Sequence, residues 1–398
     1  MNTPAHVLFQ EPAGSCFFPK ERNKTMDLKE LRNQIDQIDI QIQDLFEQRM
    51  DVVKSVAAYK KQHQLPVLHT NREDEVIRRV TQRAAPEYVS GEKVLFTNIM
   101  DISKCSQKKL IQSDNPFLEH SVPFSPDTAA KVACQGVPGA YSHIAARALF
   151  KEDIIHFYRH FEEVFQAVIN EEADYGILPI ENSNAGSVVE VYELLKKYNI
   201  YIARRIKIEV NHCLAALPGT QLSDIKCVFS HEQGIQQCSS FIHQHNLTAH
   251  SYSNTAAAAE YVAQSDPNQY FAAICSNLGA QIHGLQILSD HISNIDENYT
   301  RFICISKKPQ YSKEDNIISI SFSLPHTVGS LYRMLTKFSV YGINMQKIES
   351  KPIGNKNFDI MFYLDFTGNL KDENVSALLN DLAADLLQFK YLGNYIEI

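Results

Sequence analysis

From Pro19 to Pro66 the chain holds neither glycine nor proline in between, and its apolar residues fall in steps of three and four: Leu28, Leu31, Ile35, Ile38, Ile42, Leu45 and Phe46. That spacing draws one stripe along an α-helix. It predicts a single helix of about 36 residues, on the order of 55 Å long. Two short helices cannot cover such a stripe, so it is expected to be buried against a second copy of the chain. Further helices are expected near residues 71–83 and 90–112.

The rest of the chain changes character twice. Pro116, Pro123 and Pro126 lie in a polar stretch, which reads as a linker over 113–130. Over 131–307, short apolar runs at 132–134, 175–179, 226–229 and 271–274 alternate with helical stretches such as 142–150 and 161–170. This predicts an α/β domain with largely parallel sheets, long enough for two lobes. After a second polar linker, 316–398 reads strand, helix, strand, turn at Gly354-Asn355, strand, helix, strand. That βαββαβ order is the ferredoxin-like arrangement. The expected fold is therefore multidomain: all-α over 26–112, α/β over 131–307 and α+β over 316–398. Residues 1–25 contain Pro4, Pro12, Gly14 and Pro19 without an apolar core, and read as a disordered extension rather than a secretory signal.

Charge and cysteine usage narrow the function. A net charge of −8 leaves no cationic excess for nucleic acid. No apolar run reaches the ~18 residues of a membrane span. None of the eight cysteines forms a CxxC pair, which predicts reduced buried thiols in a cytoplasmic protein without a zinc site.

Cations on the helical region could gather a small dianion. Arg49 and Lys60 are 11 positions apart, so on a helix they point within about 20° of each other. Arg32 lies 17 positions before Arg49, about 25 Å away and about 100° around the axis, so it would serve a site in a partner copy. Surface helices are also rich in such residues, and periodicity alone favours a solvated face. The ordered set Leu31-Arg32, Glu47-Gln48-Arg49, Ala58-Tyr59-Lys60, Pro66-Val67, Asn71-Arg72-Glu73 and Ser103 with Gln107 resembles the all-helical chorismate mutase family. The resemblance implies an intertwined helical dimer. It gives Arg32 and Arg49 to the substrate carboxylates, and Lys60 and Gln107 to the ether oxygen of the breaking bond. Glu73 meets the ring hydroxyl, and Arg72 and Ser103 complete the wall. A [3,3] rearrangement needs the folded conformer held and donors aimed at an oxygen that gains charge. Arginine suits carboxylates because its fork is bidentate. His69 departs from the family's usual Asp.

Four pieces mark the α/β region: Gly136-Val137-Pro138-Gly139-Ala140-Tyr141-Ser142, Leu178-Pro179-Ile180-Glu181-Asn182-Ser183, Ser230-His231-Glu232-Gln233 with Gln236-Gln237, and Asn298-Tyr299-Thr300-Arg301-Phe302. The first reads as a tight turn with Ser142 capping a helix, or as an anion site of backbone N–H groups. The second sets polar groups at the carboxyl end of a strand, where open α/β sheets bind ligands. His231 alone reads as structural. In this order the pieces resemble prephenate dehydratase, which implies two lobes of the periplasmic-binding-protein type. The resemblance makes Thr300 the main catalytic hydroxyl, with Glu181, Asn182, Ser230 and Gln237 as neighbours, Ser142 at the substrate, and Arg301 as structural or carboxylate-holding support. The proton donor is left open between Thr300, Glu181 and a water. No cofactor or metal is implied. Glu232 stands where a Pro is common.

His326-Thr327-Val328-Gly329-Ser330-Leu331 and Ile348-Glu349-Ser350-Lys351-Pro352 resemble the two signature stretches of ACT regulatory domains. This implies phenylalanine as effector at Gly329, Ser330, Leu331, Glu349 and Ser350, at a dimer interface. Lys351 replaces the usual Arg and lacks its planar fork. The three resemblances together imply an enzyme that takes chorismate to prephenate and prephenate to phenylpyruvate, as a homodimer or larger. The alternatives are a dehydratase with an inactive mutase region, and an amino-acid-sensing binding protein.

Overall fold

A computed structural model describes residues 27–67, 70–111, 114–125, 130–151, 154–295, 297–352 and 360–398. The expected N-terminal extension, His69 and the turn at Gly354-Asn355 lie outside the described residues. The chain divides into two compact units after Ser55.

The first unit is the N-terminal part of helix α1 (Leu28–Gln62). Its stripe is open: Ile35, Ile38, Ile42 and Leu45 are each more than half exposed. The second unit begins with the end of α1 and continues through α2 (Thr70–Arg83) and α3 (Val89–Ile111). The linker that follows is packed where it is described. A short helix Pro116–Glu119 is capped by Asn115, and Val122–Pro123 pairs in parallel with Gln310–Tyr311 from the second linker.

Two lobes come next. The sheet of the first has the order Ile155–Tyr158, Val132–Gln135, Tyr175–Asn182, Tyr299–Ser306, Tyr201–Glu209. The sheet of the second has the order Gln286–Ser289, Cys213–Ala216, Phe271–Cys275, Cys227–Ser230, Thr248–Ser251. Both are mixed rather than largely parallel. In the first, Tyr299–Ser306 is antiparallel to both its neighbours. In the second, the two pairings of Cys213–Ala216 are antiparallel. The chain enters the second lobe through Val210–His212 and returns through 292–295 and 297–298, so these strands arrive from the other lobe rather than over a crossover helix. The two crossings run side by side: Val210 N–H donates to Asn298 O at 2.7 Å and Ile292 N–H to His212 O at 3.0 Å.

The lobes also touch through glycine. Gly139 sits at φ +87°, and a Cβ there would lie 2.6 Å from Gly279 Cα of the second lobe. Ser276 donates its hydroxyl to Gly139 O at 2.7 Å across the same contact. A side chain at residue 139 would be strained and would push the lobes apart.

The C-terminal region forms an antiparallel sheet in the order Met345–Pro352, Ile360–Thr367, Ile317–Ser323, Leu387–Tyr395, with helices Ser330–Tyr341 and Glu373–Asp385. Alternation along these strands gives the sheet two apolar faces. Ile317, Met361, Tyr363, Leu392 and Tyr395 join the core of the first lobe. Ile318, Phe322, Leu364 and Phe366 pack with Phe338, Leu378 and Cys105 of α3. Gly393, at φ +154°, lies against the backbone of Ile202, where any Cβ would collide with a carbonyl. The C-terminal region is thus wedged between α3 and the first lobe.

Candidate active sites

The strands Tyr175–Asn182 and Tyr299–Ser306 end together, with Thr300 opposite Asn182 and Arg301 opposite Glu181. Side chains alternate across a sheet, so these two pairs face opposite ways. The first pair is buried, with Asn182 bonded to Asn298, which borders the gap between the lobes. Asn182 Oδ1 accepts from the backbone N–H of Asn184 at 3.1 Å and of Ala185 at 2.9 Å. That fixes the carboxamide, because its nitrogen must then donate. It does so to Thr300 Oγ1 at 2.9 Å and to Asn298 Oδ1 at 2.9 Å. Thr300 therefore accepts from Asn182 and keeps its own proton for another partner. Asn298 likewise keeps its NH2.

Asn298 lines a cleft of about 310 Å³ with Asn184, Asn294, Gln233 and Gln237. The residues around it offer amides and a hydroxyl, and no charged side chain among those described. Gln237, at the end of helix Glu232–Gln237, has its Oε1 2.9 Å from Nε2 of the buried His212. At the cleft, Asn298 and Gln237 are the two amides whose oxygens are bonded away and whose NH2 groups are left to donate, whereas the Asn294 NH2 is taken by Gln236 O and Ser239 Oγ.

Glu181, expected beside Thr300, lies on the other face with Arg301, expected as structural or carboxylate-holding support. Arg301 reaches Glu181 at 3.3 Å and Glu397 at 2.8 Å. Lys347 of the C-terminal region sits 3.1 Å from Glu181 and 3.1 Å from Glu349. Burial raises the Glu349 carboxyl, but Lys351, Ser187 and Lys347 overcome this and hold it down at about 2. This correction has a simple cause: Glu181 and Asn182 are adjacent in a strand and cannot share a face.

Ser230 is fully buried and donates to Ile274 O at 2.7 Å. Ser142 is buried and bonded to Gln135 O; Ala140, not Ser142, occupies the cap of the helix Tyr141–Arg147. His231 caps the helix Glu232–Gln237 from the surface, and Glu232 is that helix's exposed first residue.

In the helical region most of the expected side chains are engaged with partners of their own. Lys60 Nζ donates to Val67 O at 2.8 Å, and burial lowers its pKa. Glu73 is 3.0 Å from Lys104 and 3.8 Å from Arg333, whereas Arg72 is exposed and pairs with Glu75 at 2.7 Å. Ser103 donates to Ile99 O at 2.6 Å. Gln107 is buried and its Nε2 meets Ser103 O, while its Oε1 has no hydrogen-bond partner among the described residues. Arg32 is exposed and Arg49 half-buried; both belong to the first unit.

Of the expected effector residues, Gly329 (φ +84°) heads helix Ser330–Tyr341, and Thr327 and Ser330 share a hydrogen bond of 2.6 Å. Leu331 is half-buried. Thr327 and Ser330 line a cavity of about 310 Å³ with Glu73, Lys104 and Arg333. Glu349 instead binds Ser187 of the first lobe, and Ser350 is exposed. No three His, Cys, Asp or Glu side chains among the described residues are grouped for a metal. The seven described cysteines are free, and no described helix is long and apolar enough to cross a membrane.

Sequence reasoning missed Asn298 and Lys347. Asn298 could have been found, since it is two residues before Thr300 and so points the same way. Lys347 gives no local signal, because its carboxylate partner Glu181 lies more than 160 positions earlier.

The comparisons with known proteins follow this division. The family model for prephenate dehydratase matches residues 132–310, and that for chorismate mutase type II matches residues 31–108. A bifunctional chorismate mutase/prephenate dehydratase of Buchnera aphidicola subsp. Schizaphis graminum is 33% identical over 380 residues, covering 93% of this chain and 96% of its own. The structure of a prephenate dehydratase of Arthrobacter aurescens in complex with L-Phe has a TM-score of 0.60 and 27% identity, over 67% of this chain and 89% of that one. A structure described as GqqA, a quorum quenching acylase, has a TM-score of 0.60 and 28% identity, over 66% of this chain and 97% of that one.

Proposed function

The chain belongs to the bifunctional chorismate mutase/prephenate dehydratase family, and from that premise we propose how its residues divide the two reactions. It converts chorismate to prephenate in the helical region, and prephenate to phenylpyruvate in the cleft between the lobes.

The observation that carries the dehydratase reading is the Asn182–Thr300–Asn298 cluster. Loss of CO2 and hydroxide from prephenate makes the ring aromatic, so the enzyme's task is to help hydroxide leave. The electron pair of the C–carboxylate bond enters the ring, and the C–O bond breaks at the opposite carbon. Thr300 holds a proton that no neighbouring side chain claims, and Asn182 donates to its oxygen. A hydroxyl that receives one hydrogen bond donates a stronger one. Thr300 is the donor to the departing oxygen, and Asn298 and Gln237 give N–H bonds to charge on the substrate. Glu181 is assigned to the link with the C-terminal region, not to proton transfer.

For the mutase reaction, Lys60 and Gln107 serve the ether oxygen, Arg32 and Arg49 the carboxylates, and Glu73 the ring hydroxyl, with Ser103 on the wall. Gln107 Nε2 now donates to Ser103 O at 3.3 Å and its buried Oε1 has no partner among the described residues, so the carboxamide has to turn to give its N–H to the ether oxygen. The open stripe of α1 supports a site completed by a second copy in a homodimer or larger assembly. Arg72 contributes to that site only by leaving Glu75.

The C-terminal region is an ACT-type, ferredoxin-like regulatory domain that senses phenylalanine through Gly329, Ser330, Leu331, Glu349 and Ser350. Among the described residues its edge strand Met345–Pro352 is paired on one side, which supports pairing between copies. A cytoplasmic location belongs to the same reading.

Two variants test the separation. Lys60→Ala removes one donor to a developing oxygen charge and is expected to lower chorismate turnover about 10²–10³-fold, with prephenate turnover intact. Thr300→Ala is expected to do the reverse. Loss of both activities in either variant would sink the assignment.

A further inference from the structure

The mechanism uses Gln237 but does not explain what aims it. Its carboxamide could present either end to the cleft, and only the nitrogen can donate to an anionic substrate. His212 sits where the chain crosses from the first lobe to the second, 2% exposed, with its carbonyl bonded to the returning crossing. Its Nε2 faces Gln237 Oε1 at 2.9 Å and its Nδ1 faces Tyr141 Oη at 3.2 Å. The Tyr141 ring packs edge-on against the imidazole, 5.6 Å between centroids. Tyr141 also donates to Asn211 O at 2.6 Å, which pins it to the same crossing.

We propose that His212 is a positioning residue of the dehydratase, holding the Gln237 oxygen from the hinge so that the Gln237 NH2 faces the cleft. Burial lowers the pKa of His212, so the imidazole is neutral, with one donor and one acceptor. With the proton on Nε2, the ring donates to Gln237 Oε1, and Nδ1 takes the weaker share of Tyr141's single proton, whose main acceptor is Asn211 O. With the proton on Nδ1, Nε2 would accept from the amide and the oxygen would turn to the cleft, against the charge of the substrate. The same histidine belongs to the hinge, so the aim of Gln237 depends on how the lobes stand. The inference rests on the cleft being the prephenate site.

The test compares four full-length variants with prephenate as substrate. An Asn side chain ends near the position of Nδ1 and cannot reach Gln237, whereas a Gln ends near Nε2 and can donate to it. His212→Asn is expected to lower kcat about 10–100-fold with little change in KM, as for a group misaligned by about 1 Å. His212→Gln should retain most of the rate. In a Gln237→Ala background the Asn change should add almost nothing, because its target is gone. Chorismate turnover by each variant reports that the chain is folded. Equal rates for the Asn and Gln variants, or an Asn effect of full size in the Gln237→Ala background, would overturn the proposal. A native chain that leaves prephenate untouched would instead overturn the reading of the cleft.

Discussion

At the residue scale the account turns on one amide. Asn182 has its oxygen filled by two backbone N–H groups, so its nitrogen must point at Thr300. Asn182→Asp keeps the shape and the backbone bonds but removes the N–H. A carboxylate there would draw the Thr300 proton to itself and away from the cleft. Its dehydratase rate is expected to fall about 10²-fold or more, as when a proton donor is lost, while Thr300→Ser stays within a few-fold of native. Rates measured on prephenate check both, and a fast Asn182→Asp enzyme would contradict the donor chain. Thr300 and Asn182 were legible in the sequence because they sit in motif-bearing segments at strand ends. The fate of their neighbours was not. Glu181 and Ser230 have the right chemistry in the right segments, yet the pleat turns one to the C-terminal region and burial assigns the other to a carbonyl. The direction in which a side chain points depends on a pairing partner that is distant in sequence.

At the element scale, the strand pair 175–182 and 299–306 has differently engaged side chains on its two faces. One face holds Thr300 and Asn182 beside Asn298 of the cleft; the other presents Glu181 and Arg301 to Lys347 and Glu397. The carboxylate of Glu349 is part of that second face, with its pKa near 2 rather than 4.5. A depressed carboxylate contributes stability that is complete above the unfolded pKa and lost as pH falls through the folded one. The stability advantage of the native chain over Glu349→Gln is therefore expected to be full above about pH 4.5 and gone by about pH 2. Denaturant unfolding at a series of pH values measures it. An advantage that survives unchanged at pH 2 would mean that Glu349 is not held by its lysines. The helices of the N-terminal region and the strand–helix order over 316–398 were readable from periodicity, whereas over 131–307 only four strand-like runs and two helical stretches were. The mixed sheets were not, since strand direction depends on the two crossings between lobes, which no local pattern announces.

At the scale of the molecule, the C-terminal region touches both reaction regions. Lys108 of α3 lies 2.5 Å from Asp381 and 2.8 Å from Asp385, and Lys337 meets the same two carboxylates. On the opposite side Lys347 bridges Glu181 and Glu349 and donates to Tyr192 at 3.0 Å. The regulatory role proposed for this region requires that its contacts differ between states. Lys347→Met removes the bridge to the dehydratase and leaves the cleft intact. Its basal prephenate turnover is expected to stay near native, with phenylalanine inhibition weakened several-fold; unchanged inhibition would take Lys347 out of the link. The exposed α1 stripe shows which scale the sequence reads best: a face too long for the chain's own helices was visible at once, whereas the ion pairs that join regions were not.

The central claim is that one chain performs both reactions in sequence. The most direct measurement is to give the purified full-length chain chorismate alone and follow chorismate loss and phenylpyruvate formation, with and without phenylalanine. The account predicts that chorismate disappears, phenylpyruvate accumulates, and phenylalanine slows its formation. Chorismate left untouched, or prephenate accumulating with no phenylpyruvate, would contradict it.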